Sequence, residues 1–121
     1  MAKCLIADDS KIIRLLLSKI MSNLGFSVIE AEDGEDVVEL TQTQEPDLVI
    51  MDWNLPMMDG IDALYKIREM RLDKTPKVIF CSASADMDKI NQAIEGGADD
   101  YIIKPFDEDI IAVKLTILGL L

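Results

Sequence analysis

The chain has 121 residues, half of them hydrophobic and 29% charged, with a net charge of −11 and no histidine. This size and apolar content predict one folded domain with one core and argue against disorder. The negative charge argues against nucleic acid and anionic membranes as direct ligands, because both bind clustered lysine and arginine. The lack of histidine argues against zinc, copper and triad chemistry.

The lack of targeting signals and the setting of the two cysteines both predict a reducing compartment. No apolar run reaches the roughly 20 residues that a spanning helix needs, and the first residues carry no signal-peptide pattern. The two cysteines, Cys4 and Cys81, lie in apolar runs without C-x-x-C spacing, so we expect buried free thiols rather than a disulfide or metal site. We therefore expect a cytoplasmic protein without membrane insertion, and a single domain over residues 1–121 without an output domain.

The first half of the chain predicts three strands separated by two helices. Strand Lys3–Ala7 comes first, and a helix begins after Ser10, a good N-cap, and ends at Gly25. The next elements are strand Ser27–Ala31, a helix over about Glu35–Thr43 and strand Leu48–Asp52. The apolar stripe of the first helix is Ile13, Leu16, Leu17, Ile20 and Leu24.

The second half continues the same alternation. A helix that follows Asp59-Gly60 carries Ile61, Leu64 and Ile67 at helical spacing. The remaining elements are strand Val78–Ser82, a helix over about Asp86–Glu95, strand Asp100–Ile103 and a helix from about Asp107 to the end. Continuously apolar central strands are typical of parallel strands buried on both faces. The alternation therefore predicts an α/β fold with a doubly wound parallel sheet.

Polar side chains stand where four of the five strands end. Asp8 and Asp9 follow the first strand, Asp52 ends the third, Ser82 ends the fourth and Lys104 follows the fifth. Because the carboxyl ends of parallel strands share one edge, we expect these groups to meet there. Carboxylates suit hard cations such as Mg²⁺, and lysine suits a phosphoryl group. The pattern predicts a site for a divalent cation and a phosphoryl group.

Three of these residues also have an ordinary structural explanation. Asp9 is favourable at a helix N-terminus, Ser82 at a turn, and Lys104 on the surface before Pro105, whose peptide bond is a candidate for the cis form. Asp52 is harder to explain in this way. A carboxylate that follows four apolar residues on a stiff strand suits a nucleophile, which needs positioning.

The motifs together resemble the receiver domain of the two-component response regulators, with its single-domain, CheY-like members. The resemblance covers essentially the whole chain and implies a flavodoxin-like sheet of order 2-1-3-4-5 with five flanking helices. The matching motifs are Asp8-Asp9, Asp52 before Asn54-Leu55-Pro56-Met57-Met58-Asp59-Gly60, Ser82-Ala83 and Lys104-Pro105-Phe106.

The resemblance also implies residue roles. Asp52 would accept a phosphoryl group from a phosphohistidine of a histidine kinase or histidine phosphotransfer protein, while Lys104 and Ser82 contact its oxygens. The Mg²⁺ ligands would be Asp8 (through water), Asp9, Asp52 and the backbone carbonyl of Asn54. Asn54 and Ser84 would tune the lifetime of the phosphorylated state.

The implied function is a signalling switch rather than an enzyme with its own substrates. Ser82 and Tyr101 would change position on phosphorylation and alter the face formed by the fourth helix, fifth strand and fifth helix, which binds a downstream target. Chemotaxis is one pathway that fits, and a stand-alone relay or scaffold receiver is the alternative.

The fifth helix departs from an ordinary amphipathic pattern. Besides the stripe Ile111, Leu115 and Leu118, it carries a second stripe, Ile110, Val113, Ile117 and Leu121. One interpretation is a partner surface, including a homodimer through the fifth helix, and the other is a wider buried stripe or a frayed terminus. The predicted interface residues are Met87, Ile90, Tyr101, Ile110, Val113, Lys114 and Ile117.

Two other functions share part of this pattern. Haloacid-dehalogenase phosphatases use an aspartate nucleophile, Mg²⁺ and a lysine, but their nucleophile follows the first strand as Asp-x-Asp, and Asp8-Asp9-Ser10 lacks that spacing. Flavodoxin-type electron carriers share the fold but need a Ser/Thr-rich phosphate loop after the first strand, which is absent. Both are therefore weaker predictions than the receiver.

Overall fold

Five strands form one parallel sheet in the computed structural model, which describes residues 2–83 and 86–121. The order is β2-β1-β3-β4-β5, and each neighbouring pair is parallel. The strands are β1 (Lys3–Ala7), β2 (Ser27–Ala31), β3 (Leu48–Asp52), β4 (Lys77–Ser82) and β5 (Asp100–Ile103). The predicted fold class and order 2-1-3-4-5 are confirmed. β4 begins one residue earlier than predicted, because the backbone of the exposed Lys77 still pairs with Leu48.

Helices follow each strand, close to the predicted bounds. They are α1 (Lys11–Asn23), α2 (Gly34–Gln44), α3 (Gly60–Glu69), α4 (Met87–Glu95) and α5 (Glu108–Ile117). The predicted caps of α1 are confirmed: the Ser10 hydroxyl accepts the N–H of Ile13, and Gly25 has a φ of 94°. Such a left-handed residue ends a helix at little cost when it is glycine.

The fifth helix ends earlier than predicted. Gly119 has a φ of 77°, and the N–H of Leu120 donates to the carbonyl of Leu115. This pairing, with the N–H of Gly119 donating to Thr116, satisfies the last carbonyls and closes the helix at Ile117. The prediction that α5 reaches the end of the chain is therefore wrong by four residues.

The sheet separates two apolar layers, because successive side chains of a strand point to opposite faces. Leu5 and Val49 pack with α2, α3 and α4, whereas Cys4 and Ile50 pack with α1 and α5. Leu16, predicted to be buried, is exposed, and Met21 takes its place in the core. Within the described chain, no helix is both long and apolar enough to cross a membrane.

Both cysteines are buried free thiols in the second layer, as predicted. Cys4 pairs in register with Leu48 and Cys81 with Asp52, so the two lie at opposite ends of β3. Burial raises the pKa of the Cys81 thiol to about 12. These thiols act as core side chains.

Candidate functional site

Three carboxylates meet at the carboxyl edge of the sheet. Asp8 follows β1 and is almost fully buried, Asp52 ends β3 and is half-buried, and Asp9 is exposed. One oxygen of each lies within 4.8 Å of the others. Three hard oxygen donors at this spacing fit a divalent cation such as Mg²⁺.

Lys104 bridges two of these acids. Its Nζ lies 2.9 Å from Oδ2 of Asp8 and 3.0 Å from Oδ2 of Asp52. Burial by itself would lower the pKa of this amine, but the hydrogen bonds and charges of Asp8 and Asp52 outweigh burial and raise the pKa above its usual range. Lys104 is therefore a fixed positive charge beside the carboxylate of Asp52.

Local backbone contacts hold the acids in place. The N–H of Ser10 donates to Oδ1 of Asp8 at 2.9 Å, and the N–H of Asn54 donates to Oδ1 of Asp52 at 3.2 Å. The N–H of Lys104 donates to the carbonyl of Ser82 at 2.7 Å, which ties the end of β4 to the lysine. The Lys104–Pro105 peptide bond is cis, as the sequence suggested.

The loop after Asp52 returns close to β3 at Gly60. The N–H of Gly60 donates to the carbonyl of Trp53 at 2.8 Å. A Cβ at position 60 would lie 2.5 Å from the carbonyl oxygen of Asp52 and 2.8 Å from the ring of Phe80. Real Cβ atoms do not approach so closely, so the seating of α3 against β3 requires glycine there.

A buried arginine stands behind the acid pair. Nη1 of Arg14 donates to the backbone carbonyl of Asp8 at 2.6 Å. Its other nitrogens lie 3.3 Å from Oε1 of Glu30 and 3.5 Å from Oε1 of Glu32. The side chain therefore connects α1, the end of β1 and the end of β2.

A groove of about 310 Å³, open to solvent, separates α4 from the ends of β4 and β5. Trp53 packs on Phe80 with ring centroids 5.3 Å apart, and Nζ of Lys89 lies 5.7 Å from the Trp53 ring. Ser82 and the half-buried Tyr101 also line the groove. The two predicted switch residues thus share one groove next to the acids.

The predicted interface residues lie on or beside an exposed face. Tyr101 is covered by Lys114, whose Nζ lies 4.8 Å from the ring and 3.1 Å from Oδ1 of Asp100. The second stripe of α5 is 43% to 72% exposed, so its interpretation as a wider buried stripe is wrong. The members of this stripe are Ile110, Val113, Ile117 and Leu121. Leu121 lies beyond the end of the helix. On α4, Met87 is exposed and Ile90 is half-buried.

The structure brings together the four charged residues that the sequence singled out, with Ser82 on the neighbouring strand end. The metal role of the Asn54 carbonyl stays a prediction, and Ser84 lies outside the described residues. Sequence reasoning missed Arg14, although its spacing of three and seven from Leu17 and Met21 places it on the buried face of α1.

Comparisons with known proteins agree with this geometry. The response regulator receiver domain family matches residues 4–116. The chemotaxis protein CheY of Bacillus subtilis is 41% identical over 108 residues, 88% of each chain. The transcriptional regulatory protein YxdJ of the same organism is 40% identical over 95% of this chain, which spans 49% of that protein. The structure of chemotaxis protein CheY4 of Vibrio cholerae, 27% identical, matches with a TM-score of 0.89 over 100% of this chain and 99% of that one. With the parallel sheet and the acid pocket, these matches establish that the chain belongs to the receiver domain family of the response regulators.

Proposed function

We propose that Asp52 is the phosphoryl acceptor of this receiver domain and that the phosphorylated form binds a downstream protein. The observation that supports this most is the arrangement of Asp8, Asp9 and Asp52 within 4.8 Å, with Lys104 held between two of them. Asp52 offers a partly accessible carboxylate on a rigid strand end. A positioned nucleophile beside fixed positive charge is what phosphoryl transfer requires.

In the proposed transfer, a carboxylate oxygen of Asp52 attacks the phosphorus of a phosphohistidine on the donor protein. The P–N bond breaks, its electron pair stays on the imidazole, and a P–O bond forms to give an acyl phosphate. Lys104 then moves its hydrogen bond from Asp52 to a phosphoryl oxygen, where its charge offsets the new negative charge. Asp9, Asp52 and the backbone carbonyl of Asn54 would hold Mg²⁺, with Asp8 acting through water, and the ion would offset negative charge on the phosphoryl oxygens.

The same site reverses the signal. Water attacks the phosphorus of the acyl phosphate, the P–O bond to Asp52 breaks, and phosphate leaves. The domain acts on its own phosphoryl group, so we propose a switch rather than an enzyme with separate substrates. The spacing of Asp8-Asp9-Ser10 also disfavours the haloacid-dehalogenase alternative.

The proposed readout uses the groove and the face beside it. Ser82 moves toward the phosphoryl group, and Tyr101 packs further into the groove that both residues line. This shift changes the surface of α4, β5 and α5, where the side chains of Met87, Ile110, Val113 and Ile117 are exposed. Phosphorylation is thus a local change of charge that shifts the equilibrium between two arrangements of this face.

The partners in this proposal are proteins. The donor is a histidine kinase or a histidine phosphotransfer protein, and the switch itself acts in the cytoplasm. The CheY relatives favour a chemotaxis target. The match to a transcriptional regulatory protein shows that similar domains also occur outside chemotaxis proteins. A relay or scaffold role is therefore the alternative.

Intact mass spectrometry after incubation with acetyl phosphate tests the proposal. With Mg²⁺, the wild type should gain about 80 Da, one phosphoryl group, and Asp52→Asn should gain none. Asp47→Asn is the matched control, because Asp47 precedes β3 at the opposite edge of the sheet and should leave the gain intact. A gain in Asp52→Asn equal to that of the wild type would contradict Asp52 as acceptor.

A further inference from the structure

Arg14 is a charged side chain in a place where apolar side chains are usual. It lies on the face of α1 that also buries Leu17 and Met21, and its side chain is 10% exposed. Burying a guanidinium costs free energy unless its donors find acceptors. The shortest of its contacts, 2.6 Å from Nη1, is to the backbone carbonyl of Asp8.

That carbonyl belongs to the peptide that joins the two acids of the site. The carboxylate of Asp8 is held by the N–H of Ser10 and by Lys104, and its carbonyl by Arg14. A peptide group is planar, so fixing the carbonyl of Asp8 also fixes the direction in which the chain enters Asp9. Arg14 thus holds the backbone segment that carries the side chains of both Asp8 and Asp9.

Charge alone does not explain an arginine here. A positive group near the acids opposes the binding of a cation, although Glu30 and Glu32 offset part of its charge at 3.3 Å and 3.5 Å. We infer that Arg14 is a positioning residue of the metal site, which orients the Asp8–Asp9 turn for Mg²⁺. This inference rests on the Mg²⁺ site in the proposed function.

The two effects of Arg14 have opposite signs, and this makes the inference testable. If Arg14 acted through its charge alone, its removal would tighten Mg²⁺ binding. If Arg14 orients the acids, its removal should weaken Mg²⁺ binding. Loss of outer contacts of this kind typically lowers metal affinity tenfold or more, and we expect about tenfold for Arg14→Met.

The measurement is the Mg²⁺ dissociation constant by titration calorimetry at fixed ionic strength, with the thermal midpoint recorded for each variant. Arg14→Lys keeps the charge but loses the planar fork, so it should bind Mg²⁺ several-fold more weakly than the wild type. If Arg14→Met does not fold, the Mg²⁺ affinity of Arg14→Lys provides the test instead.

Arg68→Met is the matched control. Arg68 on α3 also donates to backbone carbonyls, those of Pro76 and Gly97, but at the opposite edge of the sheet. This variant should lower the thermal midpoint and leave Mg²⁺ affinity unchanged. Unchanged or tighter Mg²⁺ binding by the folded Arg14 variants, or an equal loss in Arg68→Met, would overturn the inference. Absence of Mg²⁺ binding in the wild type would instead contradict the proposed metal site, and the inference with it.

Discussion

Single residues at the acid pocket are constrained by backbone contacts as much as by charge. Asp52 and Lys104 carry the proposed chemistry, yet their positions depend on neighbours such as Gly60. The carbonyl oxygen of Asp52 lies 2.5 Å from the position that a Cβ of residue 60 would take. The backbone there has little room to shift, because the N–H of Gly60 is hydrogen bonded to Trp53 and Asp52 pairs with Cys81 in β4. The position of β3 thus requires glycine at residue 60.

Gly60→Ala should therefore destabilise the fold. The added methyl group meets the backbone of Asp52 and the ring of Phe80, and overpacking of this kind costs about 1–3 kcal/mol. The free energy of unfolding from urea titration measures the loss. Gly96→Ala is the control, because its nearest neighbour is the partly exposed ring of Tyr65, which can turn away, and its loss should be smaller. Equal losses in both variants would refute the close-approach argument.

At the scale of elements, α5 shows how one helix serves two surfaces. Ile111 and Leu115 are fully buried against the sheet. On the other side, Ile117 is 72% exposed and shares a stripe with Ile110 and Val113. An apolar stripe on the solvent side gives no core stability to the domain. This pattern supports the prediction from the sequence that the outer face of α5 is a partner surface, including a homodimer surface.

Ile117→Asp separates the folding role of that stripe from a binding role. Since the side chain is exposed, the free energy of unfolding should stay within about 0.5 kcal/mol of the wild-type value. The thermal midpoint should therefore change little. If the stripe mediates a homodimer, sedimentation velocity of the phosphorylated protein should show a lower average mass for the variant. Ile12→Asp on α1, where Ile12 is 78% exposed, is the control and should keep the wild-type mass. Identical masses for Ile117→Asp and the wild type would contradict the homodimer.

For the whole molecule, the sequence predicted the architecture well because the strands and the helix ends each have a strong local pattern in the sequence. Buried parallel strands such as β3 are continuously apolar, and Ser10 and Gly25 mark both ends of α1. The acids and Lys104 were predictable because parallel strands end at one edge. These signals are local, and the topology rules combine them into one fold.

Other features could not be predicted, because they depend on contacts between distant elements. The 2.6 Å contact of Arg14 joins α1 to the end of β1, and the need for Gly60 comes from the carbonyl of Asp52. The exposure of Leu16 and the early end of α5 reflect packing and cap geometry that helical periodicity does not contain. Sequence patterns thus located the site but not the contacts that hold it.

The central claim is that, of the three clustered acids, Asp52 is the one that carries the phosphoryl group. The most direct test is to phosphorylate the wild type with acetyl phosphate and Mg²⁺, reduce it with borohydride, and sequence the peptides by mass spectrometry. Borohydride converts an aspartyl phosphate to homoserine. We predict homoserine at position 52, with Asp8 and Asp9 unchanged. Homoserine at position 8 or 9 instead, or at none of the three positions, would contradict the account.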